Sequence, residues 1–308
     1  KNELISSQSD LTINKMKYVL FGDPAISLAV PTGTAVLDSI DGKAVTSTSA
    51  IRLSAGQVVK FSGHVEDSNG NGAVDQTFNG MLSAEIYDRD ETLTCKDNDG
   101  SAARIGRSPL TFTMHGHRVF RGTTRVENGH FTITASIPRD ISYSDDAAKI
   151  SFYAVSDDKQ TECNGVNSGF HLNGTAEQAS PDTLAPKVVA YLNEVETPEY
   201  GVVNRNPTLI ADISDDAGIN IAGTSIGHDI ELTLDDDLSN TTSLNDYFTY
   251  APGSYNSGQL VYRLPTLTPG LHTMTLRVWD VNNNSTTQRL GFIVSDGVGQ
   301  ATRVYSTV

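Results

Sequence analysis

Ala- and Leu-rich stretches with apolar residues three and four apart are nearly missing from this 308-residue sequence. That absence argues an all-β chain. No run of about twenty apolar residues occurs, so no helix is expected to span a membrane. Lys1-Asn2-Glu3 does not open a signal peptide, and any targeting segment is expected to lie outside these residues. Basic residues are short: 22 Lys and Arg stand against 37 Asp and Glu, a formal net charge of -15. That balance disfavours nucleic acid and anionic membrane surfaces as partners, and it favours solubility and cations. Only two cysteines and one tryptophan are present.

What is there is Thr, Ser, Asn, Asp and Gly between short β-branched runs, the texture of strands and turns. The length suits about two domains. Strands are expected at 57–65, 81–87, 110–119, 121–126, 130–137 and 149–155, with polar loops at 67–72 and 88–108. Asn128-Gly129 is the dipeptide of a two-residue type I′ turn, where both central residues need positive φ, and it predicts a hairpin. Strands at this spacing suggest a sandwich rather than a barrel with a ligand cavity. The small, polar, proline-bearing stretch 175–186 reads as a linker. Beyond it strands are expected at 187–192, 208–213, 229–234, 259–264, 270–279 and 288–294. Leu271, Met274, Leu276 and Val278 alternate with Thr and Arg, with an offset at Thr273 that suggests a bulge.

Residues 18–31 stand apart. An apolar run is broken by Gly22-Asp23-Pro24 and resumes, as a buried strand does at a tight corner. The polar residues before it, with Leu11, Ile13 and Met16 as a weak amphipathic pattern, read as the last turns of a helix. So short a segment cannot bury the run itself, and 18–28 is expected to pack against the first sandwich or a neighbouring chain.

Several residues are candidates for chemistry. Cys95 and Cys163 are compatible with one structural disulfide in an oxidising compartment, or with two unrelated thiols. A thiol peptidase needs Cys within reach of His, and both cysteines lie in polar turns away from His115, His117 and His171. His115 and His117 share a strand face but lack a third zinc ligand. Asp67, Asn69 and Asn71, with Gly72 at the bend and Asp75 at the ninth position, match the first part of a calcium loop. Phe78 stands where the bidentate Glu belongs, so a plain polar turn is the competing reading. Asp97 and Asp99, Asp212 with Asp215 and Asp216, and Asp235 to Asp237 are further acidic turns. Trp279 reads as a core or corner residue; an exposed platform of Trp279, Tyr255 and Tyr262 would instead suit a surface adhesin or glycan-binding protein.

Together, several motifs resemble a known family. Phe21-Gly22-Asp23-Pro24-Ala25 looks like the terminal strand of the gingipain-type cysteine peptidase domain of family C25. Phe78-Asn79-Gly80, Ile137-Pro138-Arg139-Asp140-Ile141-Ser142-Tyr143-Ser144, Ile226-Gly227-His228-Asp229-Ile230, Leu244-Asn245-Asp246-Tyr247-Phe248 and Val278-Trp279-Asp280-Val281-Asn282-Asn283-Asn284-Ser285 are similar to the region C-terminal to that domain in the sortases of the type IX secretion system of Bacteroidetes. The resemblance implies a peptidase tail at 1–31, immunoglobulin-like β-sandwiches at 32–183 and 184–295, and an extension at 296–308. It implies a parent at the cell surface, associated with the outer membrane, that removes the C-terminal sorting domain of secreted cargo and joins the new terminus to anionic lipopolysaccharide. An outer-membrane β-barrel and other attachment-complex proteins would be its partners. The family's catalytic His and Cys precede the Gly-Asp-Pro corner, and no His or Cys precedes Tyr18, so these residues are expected to be a non-catalytic spacer and docking region. A trailing module of a gingipain-type protease without sortase activity is the alternative within the family.

Overall fold

The computed structural model describes residues 30–46, 51–67, 72–175, 182–194, 198–223 and 227–297. Phe21, Gly22, Asp23 and Pro24, the helix and packing expected before residue 29, and the calcium candidates Asn69 and Asn71 lie outside them. The described residues from Thr32 onward belong to one compact unit.

The first part of that unit is built from β1 (Gly33–Ile40), β2 (Lys43–Ala44), β3 (Ile51–Ala55), β4 (Val58–Glu66), β5 (Gly80–Tyr87), β6 (Asp90–Thr94), β7 (Thr111–His115), β8 (Arg118–Glu127), β9 (His130–Ser136), β10 (Ala148–Ser156) and β11 (Glu162–Thr175). Strict alternation explains the strands. Val59, Phe61 and Val65 of β4, Leu82, Ala84 and Ile86 of β5, and Phe131, Ile133 and Ala135 of β9 are buried, and their neighbours turn outward except Ser136 at the end of β9, which is buried too. Each large apolar side chain so buried stabilises the fold by about 1.5–3 kcal/mol. The Asn128-Gly129 turn forms as expected, with φ of 49° and 76°, and sets Val126 opposite Phe131.

The expected first sandwich is not what these strands form. Their order is β1-β4-β9-β8-β5-β10-β11, and β11 then pairs in parallel with β1 through Gly33–Cys163 and Thr34–Asn164, closing the sheet into a ring. Glycine at the seam permits this. A Cβ on Gly165 would lie 1.8 Å from the carbonyl oxygen of Ala35, and one on Gly33 would lie 2.3 Å from Cys163 Sγ. β2 and β3 extend the sheet beyond the ring.

The second part has two sheets. One runs β12 (Lys187–Leu192), β14 (Thr208–Ser214), β18 (Ser257–Arg263), β17 (Phe248–Tyr250); the other runs β13 (Gly201–Val203), β20 (Ser285–Val294), β19 (Gly270–Trp279), β15 (Glu231–Leu234), β16 (Thr241–Ser243). Leu209, Ala211, Ile213 and Leu260 of the first sheet and Leu232, Met274, Leu276, Val278 and Phe292 of the second join one buried cluster. The bulge expected at Thr273 is absent: β19 and β20 pair without a shift from Gly270–Val294 to Trp279–Ser285. The offset arises because Leu271 faces outward, 64% exposed.

The two parts are joined tightly. Phe120 of β8 stacks on Tyr250 of β17 at 5.1 Å between centroids and 22° between planes. Gly253 N–H donates to Thr123 O at 2.7 Å, and Arg118 pairs with Asp246 at 2.5 Å. The downstream half of the expected linker is itself tied down, for Pro186 O accepts the Thr286 hydroxyl at 2.5 Å.

Candidate functional site

One element belongs to neither the ring nor the two sheets of the second part. Among the described residues β6 and β7 pair only with each other, from Asp90–His115 to Thr94–Thr111, with the short helix α1 (Ser101–Arg104) in the connection between them. The ladder alone extends about 17 Å at 3.4 Å per residue. Every residue of β7 is exposed. Alternation puts Leu93 and Cys95 on one face, and Leu110, Phe112 and Met114 of the partner strand opposite them; Leu110, Phe112 and Met114 are 69%, 41% and 50% exposed. Among the described residues nothing covers this apolar face. A two-stranded hairpin is at best marginally stable in water, and this arm carries its apolar face with no core beneath it.

The arm is anchored at its root. Asp90 accepts from Lys149 Nζ at 3.0 Å through both oxygens and lies 3.3 Å from His115 Nδ1. The Lys149 hydrogen bonds hold its carboxyl below the usual carboxylate range. His115 also faces Tyr87 at 4.9 Å. The Tyr87 hydroxyl, pushed up to about 12 by burial and by its bond to Glu85, stays protonated. His117 faces Glu91 at 3.7 Å, so the two histidines engage different partners.

The expected disulfide is not formed. Cys95 sits on the exposed arm, and Cys163 is buried in the ring wall opposite Gly33. Burial pushes the Cys163 thiol up to about 11, away from the thiolate that a cysteine nucleophile requires. One oxygen of Asp75, Oδ1, accepts from the N–H and the hydroxyl of Thr77, at 2.9 and 2.6 Å. Asp97 caps α1, accepting from Ala102 N–H at 3.0 Å, while Asp235 holds His272 at 2.8 Å and Asp236 pairs with Arg289 at 2.5 Å. Tyr255 and Tyr262 pack against the core, and Trp279 carries the Arg277 guanidinium at 4.3 Å and the His228 ring at 4.2 Å. That leaves no open aromatic platform at these three residues.

Among the described residues, the structure brings together one set of carboxylates that sequence reasoning missed. Asp182, Asp215 and Asp280 each offer an oxygen, and the three atoms lie within 4.8 Å of one another. Asp280, fully buried, accepts from the N–H groups of Asn282 and Asn284 at 2.9 and 2.7 Å. Asp215 accepts from Ala217 and Gly218 N–H at 2.8 and 3.3 Å. Burial pushes Asp215 up to about 6, against those two hydrogen bonds and with the repulsion of Asp280 and Asp182. Such oxygens are the donors that hard cations take. Asp215 was visible in sequence as an acidic turn, but Asp182 lies in the expected linker and Asp280 just past the end of β19, and no local spacing links the three.

No family model matches this sequence, and no curated protein does. Among solved structures, fibronectin(III)-like modules of CbhA from Clostridium thermocellum are similar over 88% of this chain and 100% of their own, at 12% identity and a TM-score of 0.24. Red sea bream transglutaminase is similar over 85% of this chain and 31% of its own, at 11% identity and a TM-score of 0.25. Both superpose too loosely to say more. The crystal structure of dimeric latent PorU from Porphyromonas gingivalis is similar over 90% of this chain, at 27% identity and a TM-score of 0.52, and this chain spans 25% of the PorU chain.

Proposed function

We propose that this chain is the non-catalytic β region of a cell-surface, gingipain-like cysteine peptidase and sortase, in which the second part is an immunoglobulin-like sandwich and the whole serves as spacer and docking surface. The likeness to PorU, extending along nearly the whole chain, carries this reading. In it the parent processes type IX secreted cargo and attaches it to anionic lipopolysaccharide at the outer membrane. The partners are an outer-membrane β-barrel and other attachment-complex proteins. The apolar face of the β6–β7 arm is the docking surface. Because the similar PorU structure is of a dimer, self-association is a second readout for the same face.

Phe112→Asp places a charge at the centre of that face, far from the core. It is expected to weaken binding to the attachment-complex barrel, or self-association measured by sedimentation, at least tenfold, as loss of a buried aromatic anchor does. Wild-type binding in both assays would remove the arm from the proposal. The chain by itself is expected not to cleave a peptide carrying a cargo sorting sequence. Cleavage that disappears in Cys95→Ala or Cys163→Ala would overturn the non-catalytic reading.

A further inference from the structure

Loop 138–146 joins β9 to β10, and its two halves are held by different parts of the molecule. On one side Arg139 N–H donates to Val281 O at 2.9 Å. Asp140, whose side chain is 8% exposed, accepts from Asn220 Nδ2 at 2.8 Å, His228 Nδ1 at 2.7 Å and Asn283 Nδ2 at 3.2 Å. All four partners belong to the second part. On the other side Asp88, itself buried, accepts from the Ser142 N–H at 2.7 Å and from the Ser142 hydroxyl. Arg89 faces Asp146 at 3.9 Å. Asp88 and Arg89 lead directly into β6, and Asp88 N–H closes the root of the arm on His117 O at 2.9 Å.

Only Ile141 separates the two sets of bonds, and it is buried. Tyr143, just beyond, sits at φ 51° with its hydroxyl on Arg139 O at 3.0 Å. Aromatic residues rarely adopt that left-handed backbone, and it persists where surrounding contacts over-determine it.

We infer that this loop is a brace that ties the root of the arm to the second part of the molecule and so fixes the direction in which the arm projects. The second part then positions the docking surface and is more than a spacer. The use of the brace rests on the docking reading; the coupling itself is a property of the free chain. The physical basis is the cost of moving either end. A buried carboxylate that loses its donors cannot replace them with water, and charge-assisted bonds of this kind are the stronger ones. Swinging the loop about Ile141 would bring an apolar side chain into solvent.

Coupling is established by the response of one end to a change at the other. Amide hydrogen exchange of the whole chain reads it. Asp140→Asn keeps the side-chain shape and removes the charge, and it is expected to speed exchange at 91–93 and 112–114 about tenfold while β4 and β9 keep their rates. Ser142→Ala removes the hydroxyl bond to Asp88 and keeps the backbone N–H bond, so it loosens the arm side of the brace; it should speed exchange of the arm to a smaller degree, about threefold, and leave 219–221 unchanged. The two substitutions together should accelerate the arm no more than Asp140→Asn alone, because they interrupt one path. Should Asp140→Asn unfold the chain, His228→Phe, which removes one donor and keeps a ring against Trp279, is read instead, with an acceleration of about threefold. Faster exchange confined to 219–228 and 281–284, with the arm at its wild-type rate, overturns the brace, and so do additive effects in the double variant. No partner enters this measurement. Failure of the docking reading would appear in the Phe112→Asp binding assay, and failure of the brace would appear in the exchange of the arm.

Discussion

Phe120→Ala is expected to lower the stability of the chain by about 3–5 kcal/mol, the range for removing a fully buried aromatic side chain. Phe120 has no exposed surface, and its ring lies so close over Gly122 that a Cβ there would sit 2.7 Å from it. Across the joint it stacks on Tyr250, which also meets Phe248 edge-on at 5.0 Å. Tyr250 cannot move in to fill the space. Its hydroxyl donates to Ile219 O at 2.7 Å and accepts from Ile219 N–H at 3.0 Å, and burial holds the phenol well above its ordinary range. The cavity left by Phe120→Ala therefore stays open, and its cost falls on the contact between the ring and the second part. Urea unfolding is expected to show one transition for the wild type and two for the variant, as the parts cease to unfold together. A loss under about 1 kcal/mol would mean that the stack contributes little to the joint.

Six strands of the second part were legible, β14, β15 and β19 through their own alternation, whereas the three-residue strands β13, β16 and β17 are too short to carry a period and were not expected. The residues of β19 announce one buried face, and only Leu271, an apolar residue on the outer face, gives the false signal of a bulge. Closure of the ring was not legible. It depends on two parallel residue pairs between segments far apart in the sequence, and on Gly33 and Gly165 for a close approach that no local pattern reveals. The arm escapes detection for a related reason. Its strands are exposed on both faces, so 88–108 has no buried period and resembles a loop. The run 110–119 resembles one strand, although the chain breaks it at Gly116, where a Cβ would meet Arg89 O at 2.0 Å. Polar surroundings make Cys95 and Cys163 look alike, whereas one lies on the arm and the other in the ring wall. The apolar face of the arm was thus present in sequence as Leu110, Phe112 and Met114, and it was hidden because alternating apolar residues on a strand ordinarily face a core.

The carboxylate cluster makes stability depend on pH in a direction opposite to that of most paired carboxylates. The Asp215 carboxyl is raised to about 6 in the fold, and in an unfolded chain it titrates near 3.9. Between about pH 4 and 6 the folded chain holds a proton that the unfolded chain has released, so stability falls as pH rises through that window. Above it the full cost applies, on the order of 2–3 kcal/mol for a shift of this size. Asp280 is raised in the same direction by its burial. Asp215→Asn keeps an oxygen for the Ala217 and Gly218 N–H groups and removes one of the three charges. It is expected to stabilise the chain by about 2 kcal/mol at pH 7.5, and to leave stability unchanged relative to wild type near pH 4. His272 is also raised, its burial being outweighed by its bonds to Asp235 and Thr268, but the stability it contributes is lost above its ordinary value of 6.5, outside the Asp215 window. Denaturant unfolding at pH 4.5, 6 and 7.5, in a chelator so that no cation neutralises the cluster, separates the two through the difference between variant and wild type. A difference that stays constant from pH 4.5 to 7.5 would mean that the Asp215 proton is not the source, and that Asp182, Asp215 and Asp280 share their space without mutual cost.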